Sequence, residues 1–79
     1  MMEKSTKTNN AILPDEKVNR LIEYCRKRQY KEAEDLAIFI TQQFPSHMVG
    51  WKALGFVLAK TGRISDALIA NEKAVALSP

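Results

Sequence analysis

The 79 residues predict an all-α fold, and three observations carry that prediction. Apolar residues recur at helical spacing in four successive stretches. Proline and glycine punctuate the chain at Pro14, Pro45, Gly62 and Pro79, where helices start or stop. Residues 34 apart match in character: Pro45 with Pro79, Ala33 with Ala67, Tyr30 with Ile64, Tyr24 with Leu58 and Ile40 with Ala74. Connections of about three residues between the stretches make consecutive helices antiparallel neighbours.

Met1 to Asn10 is polar throughout and lacks the apolar core of a signal peptide, so residues 1–13 read as a disordered, flexible leader without an address. Ala11, Ile12 and Leu13 form a short apolar patch that Pro14 ends. Pro14 suits a helix's first turn, where no N–H is needed, and Asp15 and Glu16 complement the positive end of the dipole. Val18, Leu21, Ile22 and Cys25 then recur at i, i+3, i+4 and i+7, with Tyr24 beside them, giving a helix over about 15–27.

A second helix over about 30–44 opens with Glu32, Glu34 and Asp35 and packs through Ala33, Leu36, Ala37, Ile40 and Phe44. Ile38 and Phe39 widen its apolar arc, which requires cover on more than one side. Pro45 closes it, and Ser46 is the expected N-cap of a third helix over about 47–60 carrying Met48, Trp51, Leu54, Gly55 and Leu58. Glycine in mid-helix costs about 1 kcal/mol relative to alanine. Gly55 therefore implies close approach of a neighbouring helix, with Trp51 as a core residue. Thr61-Gly62 is a helix stop in which Gly62 takes the left-handed conformation. A fourth helix over about 64–77 follows, with Ala67, Leu68, Ala74, Val75 and Leu77 expected to face inward.

Composition narrows the function. Twelve basic and nine acidic residues leave a net charge of +3, and the basic run Arg26-Lys27-Arg28 with Lys31 is flanked by Glu23, Glu32, Glu34 and Asp35. Mixed signs mark a solvated helix surface, whereas nucleic-acid binding needs a one-signed stripe; no nucleic-acid partner is expected. No apolar run is long enough to span a bilayer, so no membrane partner is expected either. A lone Cys25 forms no internal disulfide, and with a single His47 it makes no four-ligand metal site. That cysteine usage points to a reducing, cytoplasmic setting. A Gly-rich phosphate loop, metal-ligand spacing and a convergent carboxylate pair are all missing from the sequence, so no catalytic residue and no cofactor are expected.

Trp51, Leu54, Gly55, Leu58, Gly62, Ala67, Ala74 and Pro79 stand at offsets that resemble the tetratricopeptide repeat (TPR). The resemblance covers residues 14–79 as two helix–turn–helix repeats, 14–45 and 46–79, and implies a short right-handed α-solenoid. The second copy departs from the pattern at Asn71, where the family carries a bulky apolar residue and looser packing would follow. The first departs further, with Lys17, Arg20 and Leu21 where Trp51, Leu54 and Gly55 stand, and reads as an N-terminal cap. More loosely, Ile40 to Pro45, Gly50 to Lys52 and Thr61 to Ala67 are similar to opening repeats of bacterial proteins whose arrays precede a domain like the O-linked N-acetylglucosamine transferases or a sulfotransferase. That likeness implies a fragment: the substrate-selecting N-terminal region of a larger enzyme. Stable arrays need about three repeats and a polar cap. The expectation is that the natural polypeptide continues, or that the chain pairs with a copy of itself, a homodimer through its C-terminal helix.

The TPR resemblance implies a scaffold for protein–protein interaction, with a protein or peptide partner held in a groove built from the first helix of each repeat. Carried over residue by residue, the groove comprises Asp15, Val18, Asn19, Ile22 and Arg26 from the first copy and Val49, Lys52, Ala53, Phe56 and Lys60 from the second. Ile22 and Phe56 would form an apolar strip with polar and cationic residues around it. Packing of Phe56 against the adjacent helix is the equal alternative. Family members that grip a C-terminal carboxylate place Asn where Ile22 and Phe56 stand, so a carboxylate clamp is not expected. Cys25, beside Arg26, could carry a lowered thiol pKa, but without a catalytic partner it reads as a small core residue. His47, in a turn, reads as a capping or solvent-facing residue.

Overall fold

The computed structural model describes residues 12–77. The leader up to Ala11, and Pro79 among the repeat positions, lie outside them. Four helices follow one another: α1 (Asp15–Arg26), α2 (Tyr30–Gln43), α3 (Met48–Lys60) and α4 (Ile64–Leu77). Among the described residues all regular structure is helical, and the ends differ from the sequence expectation by at most one residue. No helix is long and apolar enough to cross a membrane.

Local chemistry explains the ends. Pro14 is extended (φ −63°, ψ 139°) and occupies the N-cap of α1, one position before the first turn expected for it. Its carbonyl accepts from the N–H of Lys17 at 3.1 Å and of Val18 at 3.3 Å. Asp15 and Glu16 fill the first turn and Arg26 the last, each opposite in sign to its end of the dipole. The N-cap of α3 is His47, not Ser46, and its side chain makes no capping bond.

The α1–α2 and α3–α4 turns share one geometry. Arg28 donates to the Cys25 carbonyl at 3.1 Å and Gln29 to that of Tyr24 at 2.9 Å; 34 residues on, Gly62 donates to Ala59 at 3.2 Å and Arg63 to Leu58 at 2.8 Å. This paired pattern is the Schellman motif, which satisfies carbonyls left open at a helix end. It demands a left-handed residue. Gly62 supplies one at φ 85°, and Arg28 adopts φ 60° despite its Cβ.

The α3–α4 contact is the most extensive, α2–α3 the next, and α1 touches α2 less and α3 only briefly. Small residues allow the close approaches: Ala33 and Ala37 on α2, and Ala67, Ala70 and Ala74 on α4, are all buried. One core cluster joins Leu13, Leu21, Ala33, Ala37, Ile40 and Val57, with Tyr24 and Leu54 packed against it; a second joins Leu58, Ala67 and Ala70, with Trp51 and Leu54. Gly50 sits so close to α2 that a Cβ there would lie 2.7 Å from Cγ2 of Ile40.

Several side chains stand elsewhere than the sequence suggested. Leu13, grouped with the leader, is buried in the first cluster. Leu68 and Val75, expected inside, are 59% and 71% exposed. With Ile64 they form the stripe of α4 that corresponds, 34 residues earlier, to the stripe of α2 against α3. Among the described residues no helix covers it. Ile38 and Phe39 are exposed at the edge of the arc of α2, and Lys17 stacks its ammonium 5.5 Å from the Phe39 ring centre. Trp51 is half-buried instead of fully enclosed. Its indole N–H donates to the Pro45 carbonyl at 2.9 Å, fastening α3 to the preceding turn, and the Lys73 ammonium lies 5.4 Å from its ring. Asn71 does not loosen the α3–α4 contact; it lies over Gly55.

Candidate functional site: the groove between α1 and α3

Both α1 and α3 pack on α2 while meeting each other only briefly, so a hollow opens between them. It encloses about 450 Å³, within the range of small ligand sites. Val18, Leu21, Ile22, Cys25 and Arg26 form the α1 wall; Val49, Lys52, Ala53 and Phe56 form the α3 wall. The walls are apolar apart from Arg26 and Lys52. Ile22 is 50% exposed and Phe56 43%, a high fraction for large apolar side chains.

Phe56 is steered rather than buried. Tyr30 of α2 meets it edge to face, with ring centres 6.4 Å apart and planes at 67°, and the Lys60 ammonium lies 5.5 Å from its centre. Both alternatives read from the sequence are thus partly realised: the ring touches α2 and also presents a face to the groove. Arg26 donates to Oε1 of Glu23 at 2.8 Å, a contact on its own helix. Lys52 forms no ion pair among the described residues.

Of the residues suggested from sequence, the structure brings Ile22, Arg26, Val49, Lys52 and Phe56 together around this hollow, with Val18 and Ala53. Lys60 stands at its end, reaching it through Phe56. Asn19 and Asp15 are exposed on α1 and do not line it. Leu21 and Cys25 were not assigned to the groove. They share the stripe of Val18 and Ile22, and α1 has too little cover on that stripe to bury all of it. Burial pushes the Cys25 thiol pKa up, so Arg26 does not make it a reactive thiolate.

Two smaller hollows flank α3. One of about 300 Å³ lies among Met48, Lys52, Asn71, Ala74 and Val75. The other, about 260 Å³, lies on the opposite side between α2 and α4, beside Trp51 and Ile69. At its rim Arg63 grips Glu34 with two hydrogen bonds of 2.6 and 3.0 Å and also donates to Oγ1 of Thr61. Among the described residues no three of His, Cys, Asp and Glu gather as metal ligands. Compared with models of protein families, with curated proteins and with solved structures, the chain matches none.

Proposed function

We propose that the chain is a protein–protein interaction module of the tetratricopeptide-repeat kind, holding a peptide segment in the groove between α1 and α3. The observation that carries this reading is the exposure of Ile22 and Phe56, 34 residues apart, on the two walls of one hollow. Completing the burial of side chains already half-covered regains about 1 kcal/mol each, since full burial contributes about 1.5–3 kcal/mol. The matching turns at Arg28 and Gly62 support the repeat reading, because they set successive helix pairs at the same angle.

The test is selection from a displayed library of short random peptides against the wild type and Phe56→Ser. Sequences that enrich on the wild type and are lost on the variant support the groove. Equal enrichment on both, with an intact helical melt, contradicts it.

A second reading rests on a different observation. Ile64, Leu68 and Val75, respectively 56%, 59% and 71% exposed, make an apolar stripe along α4, and such stripes serve as association surfaces. Self-association through α4 predicts scattering mass that rises above the monomer with concentration. A monomer at every concentration rules it out.

A further inference from the structure

The charge of the groove selects among peptides. The α3 wall reads Lys52, Phe56, Lys60 at i, i+4 and i+8, one face on which an exposed aromatic ring stands between two ammonium groups. No acidic residue occurs anywhere in α3. On the facing helix the residue that reaches the hollow with a charge is Arg26, and its carboxylate partner Glu23 does not line the hollow. Lys52 has no counter-ion among the described residues, and the Lys60 ammonium is engaged only with the Phe56 ring. Apolar walls with cations at their edges focus a positive potential on the space between them.

We infer that the groove takes a peptide segment in which carboxylate side chains flank large apolar ones, the apolar groups seated against Ile22 and Phe56 and the carboxylates directed to Lys52, Lys60 and Arg26. This inference rests on the groove being the binding surface. A lysine-flanked segment would set like charges against Lys52 and Lys60, so discrimination comes from repulsion as well as attraction. Because the cations are exposed, their contribution falls as salt rises.

The probes are three fluorescent peptides in which Leu and Phe alternate with Glu, with Gln or with Lys. Binding is read by anisotropy, and occupancy of the groove by the rate at which Cys25, the chain's single cysteine and part of the groove wall, is alkylated. The Glu peptide is expected to bind about tenfold or more tightly than the Lys peptide at low ionic strength, the equivalent of about 1.4 kcal/mol. It should also slow alkylation, and the gap should close as salt is added. Lys52→Glu, at an exposed position without an ion pair, should narrow the gap several-fold while the melt is retained. If all three peptides protect Cys25 and bind alike, the charge inference fails and the groove reading stands. If none binds and Cys25 stays equally reactive, both fail.

Discussion

The carboxamide of Asn71 on α4 lies directly over the backbone of Gly55 on α3. A Cβ added to Gly55 would fall 2.8 Å from Cγ of Asn71 and closer still to its Oδ1. The glycine thus makes room for a polar head at the most extensive helix contact in the chain. Alanine would gain about 1 kcal/mol of helix propensity at position 55, but only by displacing that head. Gly55→Ala alone should therefore change stability little, because the Asn71 side chain is exposed and can swing away at some cost. In an Asn71→Ala background the same substitution should stabilise by about 1 kcal/mol. Thermal melts of the four variants in a double-mutant cycle check this, and equal effects in both backgrounds would mean that the two residues do not couple.

Gly50 presents the opposite case. The atoms that a Cβ would meet are Cγ2 of fully buried Ile40 at 2.7 Å, and Cγ2 and the backbone N of Thr41 at 3.2 Å. None of these can move without shifting α2 from α3. Gly50→Ala should destabilise by about 1–3 kcal/mol, the range for overpacking a core. Denaturant unfolding measures it, and a neutral variant would contradict the close approach.

The left-handed pair gives a signed comparison. Arg28 holds φ 60° at the position equivalent to Gly62, and a left-handed conformation costs an L-residue about 1–2 kcal/mol. Arg28→Gly should raise stability by about 1 kcal/mol, and Gly62→Ala, with open space around it, should lower it by a similar amount. Melting temperatures moving in the same direction for both would refute the shared turn geometry.

Much of the fold was legible from residue spacing. The four helices could be placed to within one residue because 3.6-residue periodicity and the proline and glycine breaks agree. The residues that meet around the groove were legible through the 34-residue equivalence of Ile22 and Phe56, not through their local pattern. What escaped depends on neighbours. Leu68 and Val75 look inward on any helical wheel, yet their exposure is set by how many helices pack on α4. Leu13 was separated from the core by Pro14, which ends a helix without ending the packing. Arg28 hid a left-handed turn that a glycine would have disclosed. The cover of Gly55 by Asn71 was invisible because the family pattern led to an apolar residue there.

The grip of Arg63 on Glu34 ties the α3–α4 turn to α2, and the guanidinium holds the Glu34 carboxyl below its usual range. A carboxyl whose folded-state pKa is depressed stabilises the fold above its unfolded pKa of about 4.3, and that contribution disappears as pH falls through the folded value. The melting temperature of the wild type should therefore decline as the solution is acidified below about pH 4. Glu34→Gln should show a shallower decline and Arg63→Gln likewise. The effect is small because the pair is partly solvated. Parallel pH profiles for all three proteins would mean that the ion pair contributes nothing.

The central claim is that a partner lies between α1 and α3. The most direct measurement is an amide-resolved NMR titration of the isotopically labelled chain with a peptide enriched in the library selection. The account predicts that the shifted amides gather at Ile22, Cys25, Arg26, Lys52 and Phe56, on both walls of the hollow. Shifts confined to Ile64, Leu68 and Val75 on α4 would contradict it and move the binding surface to the opposite end of the chain.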